Sequence, residues 1–213
     1  VTPQYTQNGT TCTGASQNFT ITVNPSPNVQ FSSANQTICS GSSSAAVTLS
    51  STTAGVTLAW TCSPPAGITG AATSGTTTIP AQTLSNSTAN PITVNYVATA
   101  TTGGGASCPG SSFTYTITVL PVPSVTQPTS QTVCNGASTT AVTFSGVATV
   151  YNWTNNTTSI GLAASGSGNI ASFTAVNGTA SPVTATITVT PQYTQNGTTC
   201  TGASQNFTIT VNP

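Results

Sequence analysis

The 213-residue chain contains no Lys, Arg, Asp, Glu or His. General acid–base catalysis rests on those side chains, with Tyr and Cys as occasional substitutes, because the catalyst must exchange a proton near the working pH. A Ser, Thr or Cys nucleophile needs a neighbouring base or cation, and no side chain here supplies one. The expectation is therefore a protein that is not an enzyme. Calcium sites rely on carboxylates, and structural zinc sites on four closely spaced Cys or His. The six Cys, at 12, 39, 62, 108, 134 and 200, include no C-x-x-C pair, so no metal and no cofactor is expected. Nucleic acid is excluded as a partner, since no cation is present to neutralise phosphates. Also missing is any run of about 18 to 20 apolar residues, the length a membrane-spanning helix requires.

What is present is repetition. VTPQYTQNGTTCTGASQNFTITVNP at residues 1–25 recurs letter for letter at 189–213, a period of 189 − 1 = 188 residues. Val1 opens inside a repeat, so the chain is expected to be an excerpt of a longer array. Inside the period lies a weaker half-repeat. QTICSGSSSAAVTLS from Gln36 matches QTVCNGASTTAVTFS from Gln131, and SSFTYTITVLPVPSV from Ser111 matches SQNFTITVNPSPNV from Ser204. The reading is a closing hairpin of a preceding module at 1–25, one module at 26–121 and a second at 122–213, each the size of a small β-sandwich. Pro25-Ser26-Pro27 and Pro121-Val122-Pro123 mark short, stiff joints, because proline fixes φ and removes a backbone donor.

Apolar residues alternate with Thr in Phe113-Thr-Tyr115-Thr-Ile117-Thr-Val119, and in Phe207, Ile209 and Val211, the pattern of half-buried strands. Similar alternation covers Val47 to Ser50, Val56 to Cys62, Ile92 to Tyr96, Val142 to Ser145 and Val183 to Val189. Asn-Gly pairs at Asn8, Asn135, Asn177 and Asn196 suit the positive φ of tight hairpins. No helical stripe is found. The fold class expected is all-β, tandem immunoglobulin-like sandwiches of about seven strands in a rod-like array. Trp60 and Trp153, each two residues after an apolar side chain (Leu58, Tyr151), should point inward on the third strand, as in immunoglobulin sandwiches. Phe19, Phe113, Phe144 and Phe207 read as core as well.

The combination of QTICSG or QTVCNG before the second strand, Trp on the third, and CPG or CTG before a closing FTYTITV or FTITV strand resembles the PKD-like and Ig-like repeats of giant Bacteroidetes surface adhesins. That resemblance implies export by type IX secretion and a role in adhesion, gliding or filament assembly. Other PKD relatives often carry acidic residues near the Trp. Here Trp60-Thr-Cys and Trp153-Thr-Asn stand instead, so no carboxylate site transfers.

Disulfides suit small extracellular domains, which places the chain outside the cell, at its surface. Two pairings are open among Cys39, Cys108, Cys134, Cys200 and Cys12. The first runs within modules. The second runs between them, because the turn after the first strand and the hairpin before the last lie at opposite ends of a sandwich, and Cα atoms must approach within about 7 Å. In a linear array that second scheme joins Cys39 to Cys200. Cys62 follows the inward parity of Trp60 and reads as a buried thiol or an interchain bridge. A neutral exterior leaves sheet edges without the charges that normally block pairing. The expected partners are therefore neighbouring repeats and other copies of the chain, with any other surface reached through a domain elsewhere. The function expected is a structural repeat of an adhesin stalk or filament. The alternative is that the modules themselves bind, through Thr faces such as Thr116/Thr118 and Thr208/Thr210 on ice, or through Tyr5 and Tyr193 on sugars.

Overall fold

A computed structural model describes residues 1–103 and 109–213. Strands β1 (Gln4–Gln7) and β2 (Thr10–Thr13) form a hairpin paired with nothing else. Its turn is Asn8-Gly9 with φ of 52° and 80°, the two positive values that a two-residue hairpin of this hand requires.

The first sandwich contains β3 (Gln30–Phe31), β4 (Gln36–Cys39), β5 (Ser42–Ser43), β6 (Val47–Ser50), β7 (Val56–Cys62), β8 (Ile68–Thr69), β9 (Ser74–Gly75), β10 (Thr78–Ile79), β11 (Thr83–Asn86), β12 (Ile92–Thr102) and β13 (Phe113–Leu120). One layer is the five-stranded sheet β4-β13-β12-β7-β9, in which β4 runs parallel to β13. The opposite layer is split between β10-β6-β3 and β5-β11-β8. Thr alternates with aliphatic and aromatic residues along β12 and β13, so one face is dry. Val94, Tyr96, Ala98 and Ala100 from β12 meet Ile117 and Val119 from β13, all fully buried, against Val47, Ile79 and Leu84 from the other layer. Each such aliphatic side chain contributes about 1.5–3 kcal/mol.

The second sandwich contains β14 (Gln131–Cys134), β15 (Val150–Asn155), β16 (Ser165–Ser167), β17 (Val183–Gln195), β18 (Thr198–Thr201) and β19 (Gln205–Asn212). Its main sheet runs β14-β19-β17-β15-β16, with β18 on the far half of β17. The opposite layer is irregular: a 3-10 turn at Thr158–Ile160 and isolated bridges Ser138↔Thr174 and Val142↔Ile170. Val142 to Ser145, expected as a strand, forms only that one bridge, because the Phe144 amide donates to the Asn169 side-chain oxygen (2.9 Å) rather than to a ladder. The fold is all-β and sandwich-like, although strand division differs between the modules.

Trp60 and Trp153 are buried. Each lies on a glycine of the neighbouring strand: a Cβ at Gly75 would stand 2.5 Å from the Trp60 ring, and one at Gly166 2.3 Å from Trp153. Phe144 and Phe207 are buried and stack edge to face, with centroids 6.4 Å apart. Phe113 and Phe19 depart from expectation, being exposed. The core position equivalent to Phe207 belongs to Tyr115, so Phe113 falls two residues early, at the mouth of β13. Phe19 has no sheet beside it.

Candidate functional site at the joint between the modules

β17 is thirteen residues long, and its second half outruns the core. There it pairs with β18, from Gln192↔Thr201 to Gln195↔Thr198, while β15 follows it only as far as Val150↔Gln192, and the arm closes at Asn196-Gly197 with φ of 50° and 77°. This arm reaches the first module. Cys200 is bonded to Cys39 at the end of β4, with Cα atoms 5.6 Å apart. Asn196 Nδ2 donates to Thr37 Oγ1 (3.2 Å), and Thr198 Oγ1 donates to the Thr37 carbonyl (3.2 Å).

The linker below is built as tightly. Pro121 and Pro123 are buried, and the Ser40 amide donates to the Leu120 carbonyl (3.1 Å). A Cβ at Gly202 would stand 2.0 Å from the Pro123 carbonyl oxygen, and one at Gly110 2.1 Å from that of Pro27. The final residue of CTG and CPG is therefore glycine because the turn rests on the proline through which its own module is entered.

Of the two cysteine pairings left open by the sequence, the structure contains the bond between modules. Cys12 and Cys134, counted among the disulfide candidates, are instead exposed free thiols, with no second sulfur of the described residues in reach. Cys108 lies outside the described residues. Cys62 is a buried thiol whose pKa is raised by burial, which disfavours the reactive thiolate.

A second recurring device was not foreseen. Buried Asn86 donates from Nδ2 to the Asn90 and Val119 carbonyls (2.8 and 2.9 Å), while its Oδ1 accepts from Thr88 N and Oγ1 (2.9 and 2.8 Å). Asn177 does the same with Ser181, Val211 and Thr179. The shared signal is N-x-T-A-x-P, beginning at Asn86 and at Asn177. Asn177-Gly178, expected as a tight hairpin, has no positive φ and is this bracket instead. Neither amide is free to carry a glycan.

The surfaces are uncharged. Thr93 and Thr118 hydroxyls pair across strands (3.3 Å), as do Thr184 and Thr210 (2.9 Å). An open groove of about 590 Å³ runs along the second module, with Thr126, Gln127, Gln131, Thr132 and Thr140 in its wall. Among the described residues no three potential metal ligands cluster, and no helix is long and apolar enough to cross a membrane.

These features define a class: tandem immunoglobulin-like sandwiches joined by an inter-module disulfide. Residues 36–123, most of the first module, match the family model of the PKD-like domain. No curated protein matches the chain. Among solved structures, the chain is similar to Drosophila N-cadherin EC1-4 (11% identity, 89% of this chain and 50% of that one, TM-score 0.41). It is also similar to the protocadherin GammaB4 extracellular domain (15%, 88% and 33%, TM-score 0.39). The fibronectin(III)-like modules of Clostridium thermocellum CbhA are a third (14%, 87% and 94%, TM-score 0.33). The chain spans a third to a half of the length of the two cadherin-type structures.

Proposed function

We propose that the chain is a structural repeat of a long extracellular adhesin stalk or filament, in which rigidly joined sandwiches act as spacers and associate with other copies through Thr-, Ser- and Asn-rich faces. The observation that carries this reading is the Cys39–Cys200 bond across the joint. A bond placed there lies outside both cores and fixes the angle between them. Its presence suits an oxidising, extracellular setting, and placement at a cell surface with export by type IX secretion belongs to the same proposal. No chemistry is assigned to the chain: it offers neither a base nor a cation to a reacting group.

In the ice-binding alternative, Thr118 and Thr210 would have to order water while each already shares a hydrogen bond with the Thr across the strand. Negative-stain micrographs of the isolated chain should show short straight rods with a constant angle between two beads. Sedimentation at rising concentration should show reversible association insensitive to salt, since there are no charges to screen. A strictly monomeric species would refute association, and a hinged pair of beads would refute the spacer.

A further inference from the structure

We propose that the second module carries at Thr132 and Cys134 the same seat that Thr37 and Cys39 form on the first. Its occupant is the CPG hairpin of a first-type module standing next in the array, with Cys134 bonded to the Cys108 of that next repeat. Such a bond deepens the reading of the chain as rigidly joined sandwiches, on which it rests, by stapling both kinds of joint.

Strand β14 repeats β4 in everything that positions the sulfur. Gln131–Cys134 runs parallel to β19 with Gln131 opposite Ile209 and Cys134 opposite Asn212, as Gln36–Cys39 runs along β13 with Gln36 opposite Ile117 and Cys39 opposite Leu120. The Gln131 amide exchanges two hydrogen bonds with the Thr140 backbone (both 2.8 Å), as Gln36 does with Ala45 (3.0 and 2.7 Å). Past the cysteine, Asn135 N donates to Asn212 O (2.9 Å) and Gly136 N to Ala175 O (2.8 Å). Their counterparts are Ser40 N to Leu120 O (3.1 Å) and Gly41 N to Leu84 O (2.8 Å). The two turn glycines share a φ, 79° and 81°. On β4 this frame meets an arm of the module that follows: Thr37 accepts from Asn196 and Thr198, and Cys39 is bonded to Cys200. Pairing inside the second module is closed to Cys134, because Cys200 is already spent on Cys39.

The first module offers the matching arm. The period restarts at Val189 with the letters of Val1, which makes a first-type module the occupant that the pattern supplies. At the base of its hairpin Gly110 N donates to Ala100 O (2.9 Å) and Thr101 bridges Pro109, as Gly202 N donates to Pro191 O (3.0 Å) and Gln192 pairs with Thr201. Gly110 and Gly202 each rest on the entry proline of their own module, Pro27 and Pro123, where an added Cβ would stand 2.1 and 2.0 Å from the carbonyl oxygen. Cys108 and Cys200 hold the same place in the sequence, directly before the residue that precedes that glycine. The arms differ in chemistry. Ala106 stands before Ser107-Cys108 where Thr198 stands before Thr199-Cys200, and Gly103-Gly104-Gly105 lies in the stretch that otherwise holds Gln195-Asn196-Gly197. The hydroxyl that reaches Thr37 thus has no counterpart toward Thr132, and sulfur carries the joint between repeats. Closure removes a proton from each thiol and two electrons from the pair, which an exogenous disulfide takes up as it becomes two thiols.

The test uses a chain of two consecutive periods, residues 1–188 followed by 1–213, oxidised in glutathione buffer. Cys108→Ser in the first period and Cys134→Ser in the second leave one Cys134 ahead of one Cys108 across the new joint. Chymotryptic mapping without reductant should yield a near-stoichiometric peptide pair joining Cys134 to Cys108, from a chain that migrates as a monomer. Recovery of both cysteines as free thiols while Cys39–Cys200 forms overturns the proposal. So does a Cys108 bonded to any other cysteine, or a link that runs between chains. Should the substituted chain fail to fold, the unsubstituted two-period chain replaces it: about half of its Cys134 should be joined to Cys108, and Cys134 alkylated throughout overturns the bond. Negative-stain images separate this inference from the spacer reading. A linked pair with hinged beads supports the bond and refutes the spacer, whereas a straight row of beads without the link overturns the bond alone.

Discussion

When the chain is pulled by its ends, the disulfide decides which residues feel the load. Force enters at residue 1, crosses from Cys39 to Cys200 and leaves through β19, so everything between is bypassed. The bond spans 161 residues, and an extended chain is about 3.3–3.6 Å per residue. With the bond intact, about 560 Å of contour stays locked behind it. The load instead shears β4 from β13 and β19 from its neighbours β14 and β17. Single-molecule stretching should therefore give a short final extension under oxidising conditions. With reductant present, the missing length of about 560 Å should appear in two steps, one per core. The same bond should raise resistance to denaturant by at most about 5 kcal/mol from loop-closure entropy. An extension unchanged by reductant would refute the bypass.

Trp60 Nε1 donates to the Thr78 carbonyl (3.0 Å), whereas Trp153 Nε1 is buried with no acceptor; Trp60→Phe should therefore cost about 1–2 kcal/mol more than Trp153→Phe in urea melts. Asn86→Ala or Asn177→Ala orphans several buried backbone groups at once and should cost about 3 kcal/mol in the module concerned, leaving the other module's transition in place. Thermal melts at pH 3 and pH 8 should nearly coincide, since no carboxylate, lysine or histidine side chain is present to titrate between them. The alkaline side differs: burial first, then the nearby Cys62 thiolate, push Tyr96 up to about 12 against a partial offset from Gln82. A raised pKa means the fold favours the neutral phenol, so that contribution is intact below pH 10 and lost as the pH climbs through 12. Its size is about 3 kcal/mol at 1.36 kcal/mol per unit. Buried Cys62 acts in the same direction, and a melting curve flat to pH 12 would contradict both.

Period-two alternation made the strands around Trp60, Tyr96, Ile117 and Ile187 legible, because one face of each is dry and a slip of one residue would invert it. The same rule misplaced Phe113, since parity says which face a residue is on and not where the sheet ends. Phe19 shows the complementary limit: burial belongs to the partner strands, and its 25-residue sequence context is buried in one place and bare in another. The Asn86 and Asn177 brackets were written in the half-repeat but hidden by the chemistry of asparagine, which suits a turn equally well. The cysteine pairing stayed open because distance along the chain carries no distance in space. Opposite ends of a sandwich favoured Cys39 with Cys200, and only coordinates place the β17–β18 arm over β4.

The joint has little else to hold it. Apart from the sulfur bridge, the arm touches Thr37 through two hydrogen bonds at 3.2 Å, and neutral hydrogen bonds at an exposed edge contribute about 0.5–1.5 kcal/mol each at best. Interfaces between domains of one chain usually bury enough surface to resist bending, or else they move. Here charge cannot help, since the chain has none, and an apolar interface would leave sticky ends wherever an array stops. A covalent link answers both demands, fixing the angle without adding apolar surface and remaining indifferent to salt and to acid. The fixed angle at the joint is thus assigned to one bond and two buried prolines, Pro121 and Pro123.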